Sequence, residues 1–178
     1  MRFEGQRTEI DQRSLLGVVG YRLRPALSLQ LGLGAVLDGS MQPEGGAPVD
    51  VGAGPAITVG VSWLVLYEAR YRPFVALSGS GGVSSASTAT ERVTAVDFRA
   101  GVTVGKTFFD HLTVYLAARA FAGPVFWQID GVDVTGGDVH HYSLGGGARV
   151  TLPAQLDLFV EGMAAGEQSL NAGLGVTW

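Results

Sequence analysis

The 178-residue chain contains no cysteine. That rules out a disulfide framework, thiolate metal sites and a cysteine nucleophile, while leaving the compartment open. Lysine is almost missing too: of 12 basic residues, 11 are arginine and Lys106 is the one lysine. Lysine is the common dressing of water-facing sheets and the common guard of exposed sheet edges, and this chain scarcely uses it. Charged residues amount to 16 %, against about 25 % in an average globular chain. A formal net charge of −4 without any basic stripe argues against a nucleic-acid partner. No run approaches the roughly 18–20 apolar residues of a membrane helix. The opening residues do not read as a signal peptide, so an exported protein would already have lost its leader.

Glycine is abundant, with 27 residues, and hydrophobic residues make up 47 %. The glycines follow no three-residue period, which excludes collagen, and the apolar content excludes disorder. One domain spanning 1–178 is expected from the length.

The dominant pattern is alternation with a period of two, the signature of half-buried strands. Leu27, Leu29, Leu31, Leu33, Ala35 and Leu37 share one face, and Ser28, Gln30, Gly32 and Gly34 the other. Ile57, Val59, Val61 and Trp63 oppose Thr58, Gly60 and Ser62. Phe98, Ala100, Val102 and Val104 oppose Asp97, Arg99, Gly101 and Thr103, and after a turn at Phe109–Asp110 the apolar set Leu112, Val114, Leu116 and Ala118 opposes Thr113, Tyr115 and Arg119. The alternation continues through Tyr142–Leu152, Leu156–Glu161 and Leu170–Trp178. Short connections (Arg24–Pro25, Phe109–Asp110, Pro153–Ala154) alternate with long polar ones (38–50, 82–92, 128–138), as at the two ends of an up-and-down transmembrane barrel.

Alternation alone also suits a soluble barrel or sandwich, so the polar face must decide. It carries mostly glycine, serine and threonine with a few arginines and aspartates, which reads as lumen filling rather than a wet surface. The apolar face holds aromatics at Tyr21, Trp63, Phe126, Tyr142 and Trp178 that suit interfacial girdles. The expected fold is therefore an all-β, antiparallel, up-and-down transmembrane barrel. Nine strands are countable between Gln12 and Trp178, and barrels of this kind have even strand numbers. Ten strands are expected, with Arg2–Ile10 as the first; the alternative is eight strands with residues 1–11 as a leader.

On these residues the chain resembles the small outer-membrane β-barrel proteins of Gram-negative bacteria from about Gln12 to Trp178. The alternating run Leu170–Trp178, ending on an aromatic, resembles the carboxy-terminal strand that the barrel-assembly machinery reads in that superfamily. The resemblance implies the bacterial outer membrane as location and a monomer in contact with membrane lipid and lipopolysaccharide. It also implies a structural or interaction role carried by the long loops.

Two groups of side chains could carry chemistry. Asp97, Arg99, Arg119, Arg149, Asp157 and Glu161 all fall on the polar face. Arg99 and Arg119 are placed opposite each other across the turn, so acids are expected beside them, because charges inside a barrel wall need pairing or water. Such a group either plugs the lumen or lines a narrow passage for small solutes. His141 and Ser143 share a face two residues apart, which would let an imidazole activate a hydroxyl. The His-x-Ser arrangement resembles that of the outer-membrane lipid A deacylases, with Glu161 or Asp157 as the acid, but Leu144 stands where that family has Asn. Acidic loops at Asp38, Glu44 and Asp50 and at Asp130, Asp133 and Asp138 match no calcium-loop spacing. No metal and no cofactor are expected.

Overall fold

The structure, a computed structural model, describes residues 2–3, 6–87, 92–129, 132–137, 141–153 and 156–176. The chain is all-β and antiparallel. In sequence order it forms β1 (Arg2–Phe3), β2 (Gln6–Arg24), β3 (Leu27–Pro43), β4 (Val49–Val51), β5 (Gly54–Leu66), β6 (Phe74–Ser87), β7 (Arg92–Phe108), β8 (Leu112–Ala122), β9 (Pro124–Ile129), β10 (Val132–Gly137), β11 (Tyr142–Leu152), β12 (Leu156–Gly166) and β13 (Ser169–Val176). Among the described residues no helix is long and apolar enough to cross a membrane. The period-two pattern is physically realised in β5, where exposed and half-buried residues alternate along the whole strand.

The chain divides into two compact units. The first comprises Met1–Val61, Ser80–Arg99 and Phe121–Val139; the second comprises Ser62–Gly79, Ala100–Ala120 and His140–Trp178.

In the first unit the paired order runs β7, β6, β5, β3, β2, β1, β10, β9, and β7 pairs again with β9, so the circuit of hydrogen-bonded strands closes on itself. Its core is apolar: Val36, Met41, Val51, Ala86, Val93, Val125 and Trp127 are buried together, with Ile10, Ala95 and Val134 packed against them. A cavity of about 40 Å³ remains beside Met41, Val51, Val93 and Val125, room for little more than a water or a methyl group.

Three features of this unit depart from expectation. β2 runs unbroken from Gln6, so residues 6–10 prolong the strand at Gln12 instead of making a separate one; no glycine or proline stands between Gln6 and Leu15 to interrupt it. The connections expected as long loops are largely strand. β3 continues to Pro43 and β4 follows, β6 and β7 reach Ser87 and Arg92, and β9 pairs with β10 from Pro124–Gly137 to Ile129–Val132. Serine and glycine made these stretches look like loops, but Ala86 within them and Val51, Val93 and Trp127 at their edges are buried and hold the backbone extended. The interior of this unit is consequently apolar, where a polar filling was expected.

In the second unit β8, β11, β12 and β13 pair in that order. Here the expected polarity holds. Val114, Leu116, Leu144, Leu158, Val160, Leu170 and Leu174 are exposed, while Ser143, Asp157 and Glu161 are buried with Ala117 and Met163.

Candidate functional site

The second unit contains a buried polar cluster built by strand register. Tyr115 on β8 faces Gly147 on β11, Gly147 faces Glu161 on β12, and Glu161 faces Asn171 on β13. Because position 147 lacks a side chain, the Tyr115 ring lies across it: a Cβ there would stand 2.7 Å from the Tyr115 hydroxyl and 2.8 Å from its Cζ. The ring thereby spans an intervening strand, and Tyr115 Oη donates to Glu161 Oε2 at 3.2 Å. Arg119, four residues further along β8 on the same face, donates from Nη2 to the same oxygen at 2.7 Å. The Glu161 side chain is 10 % exposed and that of Arg119 25 %, so this is a largely desolvated, charge-assisted contact.

A second pair sits nearer the other end of the same strands. Arg149 Nε lies 3.3 Å from Asp157 Oδ1, which also accepts a hydrogen bond from Thr151 Oγ1 at 2.6 Å. Thr151 and Asp157 are register partners, so the hydroxyl meets the carboxylate straight across the ladder.

The remaining expected pair lies in the first unit. Arg99 Nε donates to Asp97 Oδ2, two residues back on the same face of β7, and its guanidinium lies 5.4 Å from the centroid of the Phe121 ring. A cation over an aromatic face is favourable. The ion pairs seen among these six residues are Asp97–Arg99, Arg119–Glu161 and Arg149–Asp157.

The placement of Arg99 opposite Arg119 is corrected by the structure. Arg99 lies against Phe121, and Arg119 lies against Gly101, whose Cβ would stand 3.0 Å from Arg119 Cγ. The reason is the turn. Phe109 and Asp110 both have positive φ, 54° and 61°, and the His111 N–H donates to Phe108 O, the geometry of a type I′ turn. His111 remains outside the ladder before β8 begins at Leu112, so the hairpin centres one residue later than the sequence suggested. The contact between the Thr107 and Thr113 hydroxyls carries the same offset.

His141, Ser143 and Glu161 do not assemble as a hydrolytic site would. His141 is exposed ahead of β11, Ser143 is 1 % exposed, and the Ser143 hydroxyl has no hydrogen-bond partner among the described residues. Glu161 is committed to Arg119 and Tyr115. A nucleophile of this kind needs its base within hydrogen-bond reach, and no hydrogen bond joins these three among the described residues.

Of the expected girdle aromatics, Tyr21, Trp63, Phe126 and Tyr142 are exposed; Trp178 lies outside the described residues, as do Asp130, Asp138 and the side chain of Asp133. Asp38, Glu44 and Asp50 are exposed, and Asp38 stands 3.8 Å from Arg13 Nε. Among the described residues no three histidine or acidic side chains converge as a metal site requires.

Two contacts were not foreseen. Tyr115 was placed on the correct face, but its reach to Glu161 depends on Gly147 lying between them, which needs register to see. Lys106 fastens the connection between β5 and β6: its Nζ lies 2.9 Å from Glu68 and also donates to Ala69 O, while the Thr107 N–H donates to Glu68 at 3.0 Å. This holds the Glu68 carboxyl below the usual glutamate range, with the Lys106 hydrogen bond the largest cause and the Thr107 N–H next.

Compared with known protein families, curated proteins and solved structures, the chain matches none.

Proposed function

We propose that the protein is an integral β-barrel of a bacterial outer membrane, with a structural or interaction role and lipid as its immediate partner. The observation that carries this reading is the polarity of the second unit: leucine and valine are exposed, while the carboxylates Asp157 and Glu161 are buried on the opposite face, each paired with an arginine. A water-soluble sheet has the reverse arrangement, because an ion loses hydration on burial and an apolar side chain gains by leaving water. In a bilayer the outward leucines meet acyl chains, and the inward ions meet each other. An even strand number, a monomeric state, contact with lipopolysaccharide and recognition of Leu170–Trp178 by the assembly machinery belong to this reading.

The test is refolding from urea into detergent micelles and, separately, into buffer alone, read by circular dichroism and by the mobility of the unheated protein on a gel. A β-rich, heat-modifiable species that forms only with detergent is the expected result. A monomeric, cooperatively folded β-protein in plain buffer would overturn the proposal.

A further inference from the structure

The first unit carries an abrupt change of polarity on a single face of two paired strands. β2 and β3 pair along their length with two irregularities, one near the turn between Arg22 and Arg24 and one between Arg13 and Ser14, where Arg13 pairs with Asp38 and Ser14 with Val36, leaving Leu37 as the extra residue of a bulge. On one side of this level the face that includes Leu15, Val19 and Tyr21 of β2 is paired with Ala35, Leu31 and Leu29 of β3, and the large residues among them are all exposed. On the other side the same face continues as Arg13, Asp11 and Glu9, paired with Asp38, Ser40 and Gln42, and the charged residues are exposed. Beyond the bulge the opposite face presents Thr8 and Met41, each no more than 2 % exposed.

A water-facing sheet would have no reason to expose leucine on one half of a face and charge on the other. A sheet lying wholly in lipid would not place Glu9, Asp11, Arg13 and Asp38 outward, because exposed charge is strongly disfavoured on a lipid-facing barrel wall. Both halves are satisfied if two solvents meet the strands at this level. The apolar half also has a suitable length. From Leu15 to Leu23, at about 3.3 Å per residue and a tilt of about 40°, the strand covers roughly 20 Å along the membrane normal. That approaches the apolar band of about 25 Å seen in barrels of this class.

We propose that the bilayer surface crosses the first unit at the Arg13–Asp38 pair, so that Leu15–Leu23 and Leu27–Leu37 contact acyl chains while residues 8–13 and 38–51 stand in water as an apolar-cored cap. The cap has the polarity of a soluble protein, with Met41, Val51 and Trp127 inside and Glu9, Asp11, Asp38 and Asp50 outside. Its surface is where a water-borne partner would meet this part of the molecule. The inference rests on the membrane reading above, and the test separates the two.

Because the chain has no cysteine, single cysteines give unique labelling sites. Nitroxide labels are attached at Glu9→Cys, Asp11→Cys and Gln42→Cys beyond the bulge, and at Val19→Cys, Leu31→Cys and Leu33→Cys before it. The full chain is then refolded into phosphatidylcholine vesicles. Accessibility of each label to oxygen, which concentrates in lipid, is compared with accessibility to a water-soluble nickel chelate present on both sides. The expected result is a reversal of the ratio across the Arg13–Asp38 level, oxygen prevailing at 19, 31 and 33 and nickel at 9, 11 and 42. Oxygen prevailing at all six positions would overturn the boundary and leave the membrane reading standing. Nickel prevailing at all six would overturn both. Each side is sampled on both strands, so one variant that fails to insert leaves the comparison intact.

Discussion

Removing the Glu161 carboxylate charge tests whether the buried pairs hold the second unit together. At 2.7 Å between Arg119 Nη2 and Glu161 Oε2, the Coulomb attraction at an effective dielectric of about 20 is roughly 6 kcal/mol, most of it cancelled by the cost of desolvating both ions. The pair as a whole therefore adds little relative to an apolar replacement, whereas losing one partner strands the other. Fully buried pairs broken in this way lose about 3–5 kcal/mol. Arg119 keeps a quarter of its side-chain exposure and Gln can still accept from Tyr115, so Glu161→Gln should cost about 2–3 kcal/mol. The double variant Arg119→Met/Glu161→Gln should be more stable than either prediction of simple addition, by at least about 1 kcal/mol, because the contacting groups are coupled. The assay is reversible urea unfolding in detergent micelles followed by tryptophan fluorescence, with all variants at one pH and ionic strength. A cost below about 0.5 kcal/mol for Glu161→Gln, or strict additivity in the double variant, would refute the reasoning, since both imply that water screens the pair.

Gly147→Val should be destabilising by about 1–3 kcal/mol in the same assay, because overpacking costs this much and the new Cβ would meet Val160 O at 2.5 Å as well as the Tyr115 ring; an unchanged urea midpoint would mean the ring does not cross that strand. Phe109→Asn should raise stability by roughly 0.5–1 kcal/mol, since a bulky residue with φ of 54° is strained where Asn is tolerated; a loss instead would show that the exposed ring makes a contact worth more than the strain. Glu68 has a lowered carboxyl pKa in the folded chain, so its stabilising contribution is fully present above the unfolded value near 4.5 and is lost as pH falls through the folded value. The stability difference between the wild type and Glu68→Gln should accordingly shrink on acidification below about pH 4.5, and a difference that grows in acid would contradict the Lys106 contact.

The strands and their faces were readable in the sequence because apolar side chains recur every second residue over long stretches, and burial enforces that period. Leu29, Leu31 and Leu33, or Leu158 and Val160 against Asp157 and Glu161, sit on the faces that alternation assigns them. Register was less readable. A period of two is unchanged by a slip of two, so alternation put Arg99 and Arg119 on the correct face and gave no information on which residues they meet; the positive φ values at Phe109 and Asp110 decide that. The apolar interior of the first unit was hidden for a different reason. Val36 lies in a run read as strand, while Met41, Val51 and Val93 lie in or beside stretches rich in serine, glycine and acidic residues, so nothing joined them into one interior until strand pairing brought them together. The link from Tyr115 to Glu161 across Gly147 needs three strands in register, which no single stretch of sequence contains.

The pairing of the charges in the second unit also bears on whether the interior conducts. A passage that selects ions by charge needs a ring of one sign whose field is not cancelled locally. In the second unit Arg119 and Arg149 each face a carboxylate, at 2.7 Å and 3.3 Å, and Tyr115 and Thr151 take up further acceptor positions on those same carboxylates. Such a group is neutral overall and is tied across the strands by hydrogen bonds, so it resists the movement that hydrated ions would require. The protein reconstituted in a planar bilayer should therefore show no steady conductance, and Arg119→Ala should differ from the wild type in stability without acquiring ion selectivity. A steady wild-type conductance whose preference for anions falls on Arg119→Ala would reverse the argument. It would mean that Arg119 presents uncompensated charge to a passing ion, and that the contact with Glu161 opens whenever one passes.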